Sequence, residues 1–96
     1  PYVLVRNQAA IEQRLSDAAR YIGLQDASFK GFLDWILRLR ADLNIPHSLA
    51  EIGIDESRAE EIGAAAKQDP SDGGNPVNLM PADYTAIFIA AVKGVV

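Results

Sequence analysis

The sequence predicts an all-α protein with four main helices and one short helical turn, and three observations support this. Apolar side chains recur at three- and four-residue intervals in four segments, which places them along one face of a helix. Glycine or proline stands where most of these segments should end. The least helix-like stretch, residues 69–76, separates the last helix from the rest of the chain.

The first helix is predicted to start at Asn7 or Gln8 and to run to about Ile22. Its apolar positions follow a 4-3-4 spacing, and Gly23 ends it as a C-terminal glycine cap. Residues 1–5 are apolar and precede this helix. They fit either a short strand, which their β-branched content weakly favours, or the end of a helix.

The second helix is capped by Asp26 or Ser28 and continues to about Leu43. Gly31 lies in its first turn, where glycine costs about 1 kcal/mol relative to alanine. We therefore expect a packing reason for this glycine. The Asn-Ile-Pro sequence at 44–46 should stop the helix.

A short helical turn and a third helix are predicted next. Ser48 and Glu51 have the spacing of a capping box, and Gly53 should end the single turn that they start. Asp55 is then expected to cap a helix over residues 56–67, whose acidic first turns suit the positive end of the helix dipole.

The last helix is predicted to begin at Pro81, because proline fits the first helical position. Met80 would then be the N-cap, a poor choice because its side chain accepts no useful hydrogen bond. Gly94 should end the helix.

Residues 69–76 form a shaped loop in this prediction, with two prolines, two glycines and three Asn or Asp residues. Gly73 and Gly74 can adopt positive φ angles at no steric cost. From composition alone, a rigid connection between helices is favoured over a binding element, since most loops only connect.

Composition restricts the class of protein. Ninety-six residues with 49% hydrophobic and 23% charged residues are ordinary for one globular domain or part of one, and we expect it in the cytoplasm. The net charge of −4 with scattered basic residues argues against nucleic acid, and no apolar run approaches the roughly 20 residues of a membrane span. The absence of cysteine excludes disulfides and thiolate metal sites.

The residues alone do not make a self-sufficient catalytic site. His47 is the one histidine and cannot supply a histidine metal cluster, so we expect a structural or neutral role for it. No phosphate-binding glycine loop and no carboxylate pair on one inward helix face are present. Read by residues alone, the chain could be an independent small all-α protein-interaction module.

Three stretches stand out together: Pro1-Tyr2-Val3-Leu4 with Asn7, Leu43 to Leu49 with Ile52-Gly53-Ile54, and Asp69-Pro70-Ser71 with Gly74-Asn75-Pro76. In this order and spacing they resemble the C-terminal part of the helical domain of iron-containing (group III) alcohol dehydrogenases. The resemblance covers essentially the whole chain, which opens without an initiator methionine and is expected to be cut from something larger.

The resemblance implies that residues 1–96 are part of a dehydroquinate synthase-like helical domain, without the N-terminal nucleotide-binding domain and the metal-ligand helices. The parent would be a homo-oligomeric, NAD(P)-dependent enzyme that interconverts alcohols with aldehydes or ketones, using Fe²⁺ or another divalent metal. An Asp and three His hold the metal in this family, and none of the four is in this sequence. We expect the segment alone to be inactive and to bind neither metal nor cofactor, with the rest of the parent enzyme as its partner.

The resemblance also implies which residues of the loop matter. Ser71, where many relatives have Cys, is expected to line the substrate pocket. Val77 and Met80 replace a frequent Arg and a frequent Thr or Ser of the family. The expected scaffold around Ser71 consists of Asp69, Pro70, Gly73, Gly74, Asn75 and Pro76.

Overall fold

The computed structural model describes all 96 residues and contains helices, turns and loops without a β-strand. The all-α prediction is confirmed, although a second 3₁₀ helix was not expected. The four α-helices are α1 (Tyr2–Tyr21), α2 (Phe29–Asp42), α3 (Ala59–Gln68) and α4 (Pro81–Lys93), and the two 3₁₀ helices are Ala50–Ile52 and Pro70–Gly74.

Helix α1 is one continuous helix from Tyr2 to Tyr21, so the predicted start at Asn7 or Gln8 and the strand alternative for residues 1–5 are both wrong. The amide of Val5 already donates to the carbonyl of Pro1 at 3.1 Å. No Gly or Pro interrupts the helix, and Asn7 lies buried inside it rather than capping it. Helical hydrogen bonding therefore outweighs the weak β preference of the first residues.

The end of α1 and the start of α2 follow the sequence prediction. Gly23 has a φ of 77°, and the amide of Leu24 donates to the carbonyl of Ala19 at 3.0 Å, as in a glycine-terminated helix. Ser28, rather than Asp26, caps α2, because its hydroxyl oxygen accepts the amide of Gly31 at 3.0 Å.

Close packing explains why glycine, an unfavourable residue in a helix, stands at position 31. A Cβ at this position would lie 2.0 Å from the backbone oxygen of Asp26. Only glycine lets the chain before α2 approach the helix so closely. At the other end of α2, Asn44 adopts a φ of 54° and terminates the helix without glycine.

The chain divides into two compact units, residues 3–46 with Pro1 and residues 47–96 with Tyr2. Ala19 and Phe29 are buried in the first unit, where the rings of Phe32 and Trp35 lie 5.5 Å apart between centroids. The buried apolar residues of the second unit are Ala59, Leu79 and Val92. None of the helices combines the length and apolar character needed to cross a lipid bilayer.

In the second unit, the predicted capping-box turn is present as the 3₁₀ helix Ala50–Ile52. The Oε1 of Glu51 accepts the amide of Ser48 at 2.8 Å, and Gly53 ends the turn with a φ of 83°. The start of α3 differs from the prediction. Asp55 accepts the amide of Ser57 at 2.8 Å and forms a separate turn, so the helix begins only at Ala59.

Helices α3 and α4 pack closely against each other in the second unit. A Cβ on Gly63 of α3 would lie 2.1 Å from the Oγ1 of Thr85 and 2.7 Å from the backbone oxygen of Pro81, both on α4. This glycine therefore permits a close crossing of the two helices. The sequence prediction did not single out Gly63, because its role depends on a helix 18 or more residues away.

The boundaries of α4 agree with the prediction. Pro81 is its first residue, and Gly94 follows its last residue with a φ of 70°. Met80 is the N-cap residue, as predicted, and its side chain is not a polar cap. Its backbone amide donates instead to the carboxylate of Asp83 at 2.8 Å, which helps to hold the start of the helix. The reciprocal partner of a capping box is thus present without the usual polar N-cap side chain.

Candidate functional site

The predicted site loop begins as a capped turn. Asp69 is the N-cap of the 3₁₀ helix Pro70–Gly74, and its Oδ1 accepts the backbone amide of Ser71 at 2.7 Å. This hydrogen bond, and after it one from the Ser71 hydroxyl, holds the pKa of the Asp69 carboxyl below its usual value. The amide of Asp72 donates back to the carbonyl of Asp69 at 3.0 Å. The backbone on both sides of Ser71 is therefore fixed to Asp69.

Gly73 and Gly74 do not need the backbone flexibility that made them stand out in the sequence. Neither residue has a positive φ angle, and a Cβ added to either would meet nothing within 4 Å. The loop closes as a 3₁₀ helix instead of a turn that requires glycine. Backbone geometry at these two positions therefore gives no reason for glycine.

The end of the loop is held by an amide side chain. The Nδ2 of Asn75 donates to the carbonyl of Val77 at 2.6 Å, and the Asn75 side chain is half-buried. Pro76 between them is exposed. This hydrogen bond fixes the exit of the loop just before the buried Leu79.

Asp72, which the sequence prediction did not include among the site residues, connects the loop to both neighbouring helices. Its Oδ2 lies 2.9 Å from the Nζ of Lys67 at the end of α3, and its Oδ1 accepts a hydrogen bond from the hydroxyl of Tyr84 on α4. The Nζ of Lys67 also donates to the Oδ1 of Asn78 at 3.1 Å. The side chains of Asp72 and Lys67 are only 19% and 28% exposed, which protects the ion pair from solvent more than a typical surface pair.

Hydrogen bonds shift the pKa values of Asp72 and Tyr84. The Tyr84 hydroxyl, and after it the Lys67 ammonium, lower the pKa of the Asp72 carboxyl. The same hydrogen bond to Asp72 raises the pKa of the Tyr84 phenol. At neutral pH Asp72 is therefore a carboxylate and Tyr84 a neutral phenol.

Ser71 is exposed and lies in the wall of an open depression of about 350 Å³. The Ser71 hydroxyl donates a hydrogen bond to the Asp69 carboxylate, so its oxygen can still accept a hydrogen bond from a ligand hydroxyl in the depression. Asp72 and Tyr84 are already engaged with each other. The depression is lined by Ala66, Asp69, Ser71, Asp72, Asn75 and Tyr84.

The sequence prediction did not include Lys67, Asp72 or Tyr84 among the site residues, although the sequence contains partial indications of them. Tyr84 is an aromatic residue in the first turn of α4, and its side chain has intermediate exposure. Lys67 and Asp72 carry opposite charges five positions apart, but no helical spacing predicts their contact, because the chain leaves the helix between them. Only the packing of α3 against α4 brings the three side chains together.

His47 lies outside this depression. Its Nε2 donates a hydrogen bond to the carbonyl of Gly94 at 2.7 Å, just beyond the end of α4. The adjacent amide of Leu49 donates to the carbonyl of Ala91 at 2.9 Å. The segment that includes His47 therefore satisfies carbonyl groups at the C-terminal end of α4.

The chain contains no group of three or more His, Cys, Asp or Glu side chains able to hold a metal ion. Residues 1–92 match the model of the Fe-containing alcohol dehydrogenase family, C-terminal, and the chain belongs to this family. Searches of curated proteins and of solved structures give no match.

Proposed function

We propose that this chain is the C-terminal helical part of an NAD(P)-dependent enzyme that interconverts alcohols with aldehydes or ketones. The observation that supports this most strongly is the family match over residues 1–92. The chain supplies helices that brace the rest of the catalytic domain and one loop that forms part of the substrate pocket.

Ser71 is the residue through which the chain meets the substrate in this proposal. Its exposure on the wall of the depression, on a loop whose entry is fixed by Asp69, supports the assignment. A serine hydroxyl is smaller than a thiol and a better hydrogen-bond donor. We expect it to orient the oxygen of an alcohol or carbonyl substrate rather than to react with it.

The residues of this chain do not fit a site for the iron that the family name implies. His47, the one histidine, is bonded to the Gly94 carbonyl, and the acidic side chains form no group of three. Iron and NAD(P) would therefore be held by other parts of the parent protein. The contribution of this chain is substrate contact and mechanical support.

The proposal is tested on the intact protein that carries this chain, loaded with Fe²⁺ and supplied with NADH or NADPH and a panel of small aldehydes and ketones. We expect consumption of the reduced cofactor that depends on the carbonyl compound. The isolated 96-residue chain should show none, and titration calorimetry with Fe²⁺ and with NAD⁺ should give no micromolar binding. Carbonyl-independent cofactor consumption by the intact protein, or micromolar binding by the isolated chain, would contradict the proposal.

The interaction-module alternative differs in what precedes the chain in its gene. An enzyme requires an upstream coding sequence for a nucleotide-binding domain and a histidine-rich helical stretch.

Cytoplasmic location and a homo-oligomeric parent stay predictions. Light scattering of the intact protein measures the oligomeric state directly.

A further inference from the structure

The loop that carries Ser71 is anchored immediately after this residue. Asp72 uses one carboxylate oxygen for the Nζ of Lys67 on α3 and the other for the hydroxyl of Tyr84 on α4. A single side chain therefore joins the loop to two helices that already pack closely against each other. Any shift of the loop relative to these helices has to break at least one of the two contacts.

Ser71 lies between two such anchors. On its N-terminal side, the Oδ1 of Asp69 accepts the Ser71 amide at 2.7 Å. On its C-terminal side, Asp72 is held by Lys67 and Tyr84. The backbone of Ser71 is thus defined from both directions, although the residue itself is exposed.

Lys67 extends this arrangement to the far end of the loop. Its Nζ contacts Asp72 at 2.9 Å and the Oδ1 of Asn78 at 3.1 Å. One ammonium group therefore connects the first half of the loop with the residues that lead into α4. Movement of the loop therefore requires a change in the contacts of one carboxylate, that of Asp72.

We propose that Asp72, held by Tyr84 and Lys67, is a positioning residue that fixes the Ser71 hydroxyl against the bound alcohol or carbonyl compound. This inference rests on the proposed function, in which Ser71 lines the substrate pocket. Asp72 does not touch the substrate in this role. It acts by keeping the Ser71 hydroxyl within hydrogen-bond distance of the substrate oxygen.

Tyr84→Phe is the sharpest test, because it removes the hydroxyl that Asp72 accepts from and keeps the ring in place. In the intact, Fe²⁺-loaded protein we expect kcat/KM for the preferred carbonyl substrate to fall about tenfold, since small displacements of a contacting group cost rate steeply. Tyr21→Phe removes a hydroxyl from a ring that is 93% exposed, and it serves as the matched control with unchanged kcat/KM.

A double-mutant cycle with Ser71→Ala separates positioning from general stabilisation. If Asp72 and Tyr84 act through the Ser71 hydroxyl, Tyr84→Phe should change kcat/KM by less than about twofold once that hydroxyl is gone. Effects that multiply would show that Tyr84 acts independently of Ser71 and would overturn the inference. An equal kcat/KM for wild type and Tyr84→Phe would also overturn it.

Hydrogen exchange supplies a readout that does not depend on activity. Tyr84→Phe should speed amide exchange in residues 71–74, while the amides of α1 keep their wild-type rates. Unchanged exchange in residues 71–74 overturns the positioning role even if the enzyme is active. An intact protein without carbonyl reduction overturns the proposed function instead, and the role of Asp72 toward substrate falls with it.

Discussion

Tyr84 donates its phenolic hydrogen to a carboxylate oxygen of Asp72, twelve residues earlier in the chain. This hydrogen bond joins the loop at residues 69–76 to the last helix, and it lowers the pKa of Asp72 while it raises that of Tyr84. Both shifts favour the protonation states present at neutral pH, a neutral phenol and a carboxylate. The loop is therefore held most firmly near neutral pH.

The acid side of this dependence gives a first prediction. The folded pKa of Asp72 is lower than its ordinary value of 3.8, so the unfolded chain binds this proton first as the pH falls. The stability that Asp72 contributes is complete above pH 3.8 and is lost as the pH falls through the lower folded pKa. The Tm difference between wild type and Asp72→Asn should be largest near pH 7 and should shrink below about pH 4.

Thermal melts of the 96-residue chain followed by circular dichroism between pH 7 and pH 2.5 measure this difference. Asp42→Asn, at the exposed end of α2, is the matched control and should leave Tm close to wild type at every pH. A gap between wild type and Asp72→Asn that stays constant down to pH 2.5 would show that the Asp72 carboxylate contributes nothing.

A second prediction compares two glycines. Gly63→Ala would place a Cβ 2.7 Å from the backbone oxygen of Pro81 and 2.9 Å from the backbone nitrogen of Thr85, so α3 and α4 must separate. We expect a loss of about 1–3 kcal/mol in the free energy of unfolding, the usual cost of overpacking. Gly73→Ala meets nothing within 4 Å and has no positive φ to strain it. It should be neutral or stabilising by up to about 1 kcal/mol.

Urea denaturation of the two variants checks this comparison. The two glycines belong to the same unit, so a shared change in the unfolded state would affect both. Equal destabilisation by Gly63→Ala and Gly73→Ala would mean that the close crossing of α3 and α4 is absent in solution.

A third prediction concerns the end of α4. His47→Ala removes the donor that the Gly94 carbonyl accepts at 2.7 Å. We expect a loss of about 1 kcal/mol in the free energy of unfolding and faster amide exchange in the last turn of α4. Gln25→Ala, at an exposed position between α1 and α2, is the control and should change neither quantity. A His47→Ala variant as stable as wild type would leave His47 without a structural role.

The fold could be predicted largely because its helix boundaries are encoded locally. Two helices begin at residues whose own side chain sets the boundary, Ser28 and Pro81. Two helices end next to a glycine with a positive φ angle, Gly23 and Gly94. Errors arose where local signals were ambiguous. Residues 1–5 have a β-branched composition, yet they continue into α1 because no breaker follows them.

The third helix illustrates a second kind of error. Asp55 is a good capping residue and does accept a nearby amide, that of Ser57. It caps a turn before the helix rather than the helix itself, which begins at Ala59. Capping residues and turn residues are the same types, so sequence alone does not separate the two uses.

The site could be predicted only in part, because its side chains meet through tertiary packing. The family resemblance singled out Ser71 and its neighbours, and the structure places Ser71 on the wall of a depression. Asp72, Lys67 and Tyr84 come from a loop and two helices, and no periodic pattern relates them. Conversely, Gly73 and Gly74 stood out in the sequence but have no special backbone geometry.

The central proposal is that Ser71 lines the substrate pocket of an NAD(P)-dependent alcohol dehydrogenase. The most direct measurement is kcat/KM of the intact, Fe²⁺-loaded protein for aldehydes of increasing chain length, with Ser71→Ala and, as a control, Ser57→Ala, which removes a hydroxyl before α3. We expect Ser71→Ala to reduce kcat/KM about tenfold for every aldehyde, because the oxygen that the Ser71 hydroxyl contacts is common to all of them. An unchanged kcat/KM for Ser71→Ala, or a profile identical to that of Ser57→Ala, would contradict the account.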